Sequence, residues 1–351
     1  MKHGNIAVFV PLIGCPHRCS FCDQRRITGQ QAAPTADDVK TAVNNALMSA
    51  KKYDLEIAFF GGSFTAIERN YMISLLQAAY VYVEKGDVSG IRISTRPDAI
   101  NDDVLSILKK YGVTAIELGA QSMCDDVLTA NGRGHNSQTV RESSRLIKEY
   151  GFSLGLQMMT GLYKSSSERD IYTAEEIIAL HPDTVRVYPT VTLKGTALET
   201  LYKNGSYKPM TLDESVDLCA LLLEMFGRNN IEVIRLGLHY SESLMRDIVY
   251  DNYHPAFREL CESKLMLDEF FRVCDDENID SGGYMTVRVH PSCVSKFIGQ
   301  KRGNIVIIKE RFGIDVKTLA DKDVPPLKMV CECVSSETAV QGKVRIREEK
   351  S

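Results

Sequence analysis

No apolar run in this 351-residue chain approaches the roughly 20 residues that a membrane-spanning helix needs. The apolar stretch at residues 6–13 is too short for a span and lacks a small-residue cleavage site, so no export signal is read. Without export, the 10 cysteines are expected as thiols of a reducing cytoplasm, not as a disulfide framework. A surplus of one charge is missing too. The net charge of −4 gives no global attraction to nucleic acid, so any RNA-binding face must be local. Repeats of solenoid length and low-complexity tracts are absent. What remains is an ordinary globular composition, 44% hydrophobic and 25% charged. That is enough for one large domain and a smaller one.

Strand-like runs begin at Ile6 (IAVFVPLI), Leu55 (LEIAFF), Ile91 (IRIST), Val113 (VTAIELG), Phe152 (FSLGLQMM) and Thr184 (TVRVYPT). Several are apolar on both parities, as parallel strands covered on both faces are. Helical patterns lie between them. Thr35 and Asp38 make a capping-box-like start, with Val39, Val43 and Leu47 following at spacing four. Asn101 is placed to cap DDVLSILKKYG, which stops at Gly112. Further helices are read at 137–150, 168–180 and 212–229. Six βα units in series predict an α/β fold, a partial TIM barrel (β/α)6 over 1–239, with function at the C-terminal ends of its strands. From about Tyr240 the alternation stops. A helical extension over 240–275, broken near His254 and Pro255, and a polar linker (DDENIDSGG) lead into a small α+β domain over 276–351.

The stretch CPHRCSFC follows the first strand and crowds Cys15, Cys19 and Cys22 into eight residues. A structural zinc site wants four ligands, and the next cysteine is Cys124. A redox CxxC at Cys19 and Cys22 leaves Cys15 unexplained. Three thiolates instead suit three irons of a 4Fe–4S cluster, with the fourth iron open to a non-protein ligand.

At these residues the chain resembles the radical S-adenosylmethionine (SAM) superfamily, whose hallmark is CxxxCxxC with an aromatic, here Phe21, before the last cysteine. The resemblance implies that the open iron chelates SAM. The reduced cluster then splits it into methionine and a 5′-deoxyadenosyl radical that abstracts a substrate hydrogen. A reductant such as ferredoxin or flavodoxin is implied as well. Over residues 4–237 the likeness is to the Elongator catalytic subunit, with the coproporphyrinogen dehydrogenases as further relatives. FFGGSF matches the glycine-rich SAM motif and implies that Gly61 and Gly62 admit the ligand. Ser94 stands where relatives often carry a ribose-binding glutamate. The run IELGAQS…DDVL…RGH implies that Gln121 reaches the ribose or the carboxylate of SAM, and Arg133 that carboxylate. Gln157 stands where relatives carry an aspartate or histidine and implies a further ribose contact. RVYPTVTLKGTAL implies that Tyr188 and Lys194 face substrate as catalytic residues. Two departures stand out. The first two cysteines keep the ordinary spacing, and no pattern of the Elongator acetyltransferase domain is read, so a carboxymethyl product is not carried over.

The tail (YMTVRVHPSCVSKFIGQKRGNIVIIKERFGIDVKTLAD) resembles a KH RNA-binding domain, with IG…G..I around the loop GQKRG. From Met285 to Leu319, Lys and Arg at 288, 296, 301, 302, 309, 311 and 317 face only Glu310 and Asp315. Such a patch is fit for phosphates. Lys296, Lys301, Arg302 and Lys309 are the expected RNA contacts. The expectation is a cytoplasmic radical-SAM enzyme acting on RNA, with tRNA the favoured class. The rivals are an enzyme of small molecules or tetrapyrroles and a non-catalytic iron–sulfur or haem-binding relative.

Overall fold

The computed structural model describes residues 2–11, 19–22, 32–49, 53–276 and 283–334. Cys15, residues 277–282 of the expected linker and the expected final strand AVQGKVRIRE lie outside them. The chain divides into two compact units, Met1–Ser215 with Met225–Pro255, and Val216–Glu224 with Ala256–Ser351.

The first unit alternates strands and helices: β1 (Lys2–Val10), α1 (Ala36–Ser49), β2 (Tyr53–Gly61), α2 (Arg69–Glu84) and β3 (Gly90–Thr95). It continues with α3 (Asp102–Lys110), β4 (Val113–Gln121), α4 (Asp125–Ala130), α5 (Ser137–Glu149), β5 (Ser153–Thr160) and α6 (Ser167–Ala179). Then come β6 (Thr184–Pro189), α7 (Ala197–Lys203), β7 (Glu232–Leu236) and α9 (Glu242–Asp247); α8 (Leu212–Arg228), before β7, has residues 216–224 in the second unit. The strands pair in parallel in the order of the chain, β1 to β7. The guanidinium of Arg186 on β6 lies 4.9 Å from the Phe60 ring centroid on β2, so the sheet curls enough to bring strands four apart together. This is a parallel half-barrel with seven strands where six were expected. The missed strand, EVIRL, is only five residues long, and its two interior positions Ile234 and Arg235 are only partly buried. Its apolar signal is correspondingly weak.

Local chemistry explains the element ends. Asp38 Oδ2 accepts from the Thr35 backbone N–H at 2.8 Å, and Thr35 Oγ1 accepts from Asp38 N–H at 3.2 Å, the reciprocal bonds of a capping box. Asn101 Oδ1 accepts from Val104 N–H at 2.9 Å, and Gly112 stops α3 with φ 71°. The break expected near His254 and Pro255 is wider than that pair. Between α9 and α10 (Phe257–Asp276), residues 248–256 form no α-helix, and Ile248 bridges to Leu193 instead. Pro255, which lacks a backbone donor, lies in that break.

The second unit contains α10, β8 (Gly283–Val289), α11 (Val294–Ile298), α12 (Gly303–Phe312), β9 (Ile314–Ala320) and β10 (Met329–Val334). Its sheet runs β10-β8-β9, with β8 parallel to β9 and antiparallel to β10. Phe270 of α10 packs with Val287, Phe297 and Ile308 in a core from which water is excluded. Among the described residues no helix is long and apolar enough to cross a membrane.

Candidate active site

Cys19 and Cys22 sit in a turn closed by the Cys22 N–H donating to the Cys19 carbonyl at 3.2 Å. The turn is fastened by its own neighbour. Ser20 N–H donates to the Asn131 carbonyl at 3.0 Å, Ser20 Oγ donates to Asn131 Oδ1 at 2.6 Å, and Leu198 N–H donates to the Ser20 carbonyl at 2.9 Å. Asn131, fully buried at the end of α4, is itself held through Nδ2, which donates to the carbonyls of Val127 and Tyr163. Both thiols remain partly exposed. Nothing in the sequence singled out Asn131 or Ser20 for this work.

Arg133 reaches the same place from the loop after α4. Its Nη1 donates to Cys19 Sγ at 3.4 Å and its Nη2 to the Gly119 carbonyl at 2.6 Å. Gln121 ends β4 beside it at a bulge, with φ 69°, a left-handed conformation rare for a side chain of that size. Gly119 makes room for both: a Cβ there would lie 2.9 Å from Gln121 Nε2 and 3.4 Å from Arg133 Nη2. His135 completes the group, its Nε2 at 3.2 Å from the Ala120 carbonyl. Burial, then the charge of Arg133, holds His135 neutral down to about 4.

Around this one strand end, Gln121 Oε1, Arg133 Nε and His135 Nδ1 are buried with no hydrogen-bond partner among the described residues. Native interiors leave few such atoms, and each asks for a reason. An orphaned donor on Arg133 and an orphaned acceptor on Gln121, next to a cysteine thiol, suit a ligand carrying a carboxylate together with amino or hydroxyl groups. The residues therefore fit SAM beside a cysteine-held cluster.

Gly61 and Gly62 close the rim at the end of β2. Gly61 has φ 112°, and a Cβ on it would lie 2.5 Å from the Val10 carbonyl oxygen. Gly62 N–H donates to that same oxygen at 2.7 Å. The packing of β1 against β2 thus demands glycine at 61, whatever ligand approaches it.

Deeper along the strands lies a layer of buried charge that the sequence reading did not foresee. Glu117, 1% exposed, pairs with Arg186 at 2.6 Å and Arg92 at 3.3 Å, and Arg92 also pairs with Glu56 at 2.8 Å. Glu56, Arg92, Glu117 and Arg186 thus alternate in sign across β2, β3, β4 and β6. Ser94 stands in register with Glu117. Gln157 Nε2 donates to Glu117 Oε2 at 3.0 Å and lies 3.4 Å from Ser94 Oγ, so the structure gathers Ser94 and Gln157 on one carboxylate. Gly155 opposite Glu117 leaves space for it, because a Cβ there would meet Glu117 Cγ at 2.8 Å. The cue was a Glu inside an apolar strand and an Arg at alternate positions of TVRVYP.

Tyr188 follows Arg186 on the same face of β6, and burial holds its phenol above the usual range. Lys194 is not gathered with these residues. It is exposed, its Nζ donates to the Arg246 carbonyl at 2.9 Å, and its backbone N–H donates to the Asp247 carbonyl at 2.8 Å. It caps the end of α9, where a cation belongs.

In the second unit the four expected RNA contacts divide. Lys296 pairs with Glu262 at 2.7 Å and Lys309 pairs with Asp315. Lys301 and Arg302 form an exposed 3-10 turn between Gly299 and Gly303, with φ 51° and 64°, and pair with no carboxylate among the described residues.

Comparisons with known proteins bear on the family and the fold. The profile of the radical SAM superfamily matches residues 9–175, and that of the Radical_SAM C-terminal domain matches 182–266. Elongator complex protein 3 of Dictyostelium discoideum is 32% identical over 63% of this chain and 45% of its own. A tRNA uridine(34) acetyltransferase of Dehalococcoides mccartyi is 27% identical over 58% of this chain and 52% of its own. The chain spans about half the length of these curated relatives. Among solved structures, the archaeal Methanocaldococcus infernus Elp3 with residues 1–46 deleted shares the fold. Its TM-score is 0.58 at 19% identity, over 79% of this chain and 64% of that one. With the cysteine turn, the half-barrel and the orphaned polar atoms at the end of β4, these matches identify the chain as a radical SAM enzyme, a member of that superfamily whose cofactors are a 4Fe–4S cluster and SAM.

Proposed function

We propose that this enzyme modifies RNA, with tRNA as its substrate class, in the cytoplasm. The observation that carries the reading is the pair Lys301 and Arg302, exposed and without a carboxylate partner among the described residues, on a loop bounded by Gly299 and Gly303. A KH domain clamps the backbone of about four nucleotides with a glycine-bounded loop. Free cations at such a tip are available to phosphates, whereas Lys296 and Lys309 are already taken up by carboxylates. The name of the Dehalococcoides relative, a tRNA uridine(34) acetyltransferase, points the same way.

In this reading Cys15, Cys19 and Cys22 hold the cluster. When bound, the cluster supplies an electron, taken from a ferredoxin- or flavodoxin-like reductant, for the reductive cleavage of SAM. Arg133 Nε is the donor available to the SAM carboxylate, and Gln121 Oε1 the acceptor available to its amino or hydroxyl groups. Ser94 and Gln157 offer hydrogen bonds toward the ribose with Glu117 behind them, which supplies the charge that Ser94 lacks. The backbone at Gly61 and Gly62 lines the approach, and Tyr188 faces the substrate side.

Cys19→Ala should lose the cluster absorbance and the formation of 5′-deoxyadenosine together; full iron content in that variant would sink the ligand assignment. Nucleoside mass spectrometry of bulk tRNA from a deletion strain should show one modified nucleoside lost. An unchanged tRNA profile would move a small-molecule substrate ahead.

A further inference from the structure

Arg133 does two things at once. Its Nη2 bond to the Gly119 carbonyl, at 2.6 Å, fixes one arm of a planar fork. The other arm is thereby aimed, and Nη1 comes to 3.4 Å from Cys19 Sγ. The main chain that carries the sulfur is fixed as well. Cys19 is held through the turn to Cys22 and through Ser20, which is bonded to Asn131 and Leu198. A cation bonded to a sulfur whose main chain is fixed on its own account is a built contact.

We propose that Arg133 tunes the iron–sulfur cluster, its N–H···S bond to Cys19 raising the reduction potential before SAM is bound. The proposal rests on the reading of Cys19 as a cluster ligand. Reduction adds one electron, and part of the added charge falls on the ligand sulfurs. A donor that is also a full positive charge therefore stabilises the reduced form more than the oxidised one. Hydrogen bonds to the sulfurs are among the levers a protein has on such a potential. The role is separate from any contact of Nε with the SAM carboxylate, because it acts with SAM absent.

The test is a redox titration of the full-length protein, reconstituted anaerobically and free of SAM, followed by the EPR signal of the reduced cluster. Arg133→Met removes donor and charge while keeping an apolar stem. At the wild-type midpoint its ratio of reduced to oxidised cluster should fall about tenfold, a shift of about 59 mV to more negative potential for one electron. Arg133→Lys keeps the charge but cannot bridge Gly119 and Cys19 as a fork does, and its shift should be smaller in the same direction. If Arg133→Met fails to hold a cluster, the Lys variant carries the test. An unshifted midpoint at full iron content overturns the proposal. So does loss of the cluster from both variants, since Arg133 would then build the site and not tune it. The ligand reading fails separately: Cys19→Ala that retains its iron shows that Cys19 is not a ligand, whatever the potentials are.

Discussion

Inside the half-barrel, Arg92 and Arg186 meet the carboxylates of Glu56 and Glu117, whereas Lys301 and Arg302 in the second unit meet none among the described residues. A guanidinium withdrawn from water has to be paired, since desolvation otherwise costs several kcal/mol. A cation at a loop tip stays hydrated and keeps its charge for a partner from outside. The same contrast runs through the basic tail. Of the seven cations counted there, Arg288, Lys296 and Lys309 are ion-paired and Arg311 lies 4.3 Å over the Phe271 ring. A charge count thus overstates the surface that phosphates can use.

Breaking the buried side should have the largest effect. Glu117→Leu leaves Arg92 without one carboxylate and Arg186 without its partner, and should cost about 3–5 kcal/mol of stability in denaturant melts. Lys301→Ala with Arg302→Ala should change those melts by no more than about 0.5 kcal/mol. Arg133 sharpens the comparison as an intermediate case, bonded on two nitrogens and orphaned on the third. Arg133→Ala should weaken SAM binding by about 1.5–3 kcal/mol while the cluster persists, measured by calorimetry on reconstituted protein. Unchanged affinity would remove its carboxylate role.

The exposed side is read best through salt. Filter binding of bulk tRNA should weaken steeply with salt, and the Lys301→Ala/Arg302→Ala protein should lose up to about two units of that slope. Uncoupled SAM cleavage should survive in the same protein. Equal slopes would mean that the loop is no clamp.

A last effect, a difference in pH slope, concerns two buried groups whose titrations act on stability in opposite directions. Burial raises Asp170 to about 6, although Gly161 N–H and Ser165 Oγ donate to it. The unfolded chain gives up that proton first, so this group takes stability away as pH rises from about 4 to about 6. His135, lowered to about 4, adds stability that is present above about 6.5 and lost as pH falls toward 4. Asp170→Asn removes the first contribution and leaves the second. Its stability should therefore fall more steeply than the wild type's between pH 6 and pH 4 in parallel denaturant melts.

Much of the barrel could be read from the chain because its signals are local. Caps such as Thr35 with Asp38, and Asn101, declare helix starts, and long two-sided apolar runs declare buried parallel strands. EVIRL escaped because a strand of five residues, with Ile234 and Arg235 only partly buried, carries little periodicity. In the site, motifs mark Cys19, Gln121 and Arg133, and the structure brings Arg133 onto Cys19 and beside Gln121 at the end of β4. The Glu117 layer was not legible, because a buried carboxylate shows its meaning only through arginines on other strands, tens of residues away in the chain. The partner of Lys194 was hidden for the same reason: its ammonium donates to the Arg246 carbonyl, 52 residues distant.

The fastening of Ser20 has a consequence for what shapes the cysteine turn. In a zinc finger the metal gathers its ligands, and removing it unfolds the domain. Here the main chain between Cys19 and Cys22 is held by hydrogen bonds of Ser20 to Asn131 and Leu198, which are made within the polypeptide. On that side the fold itself draws the turn into place, as a jig holds a part before the fitting arrives.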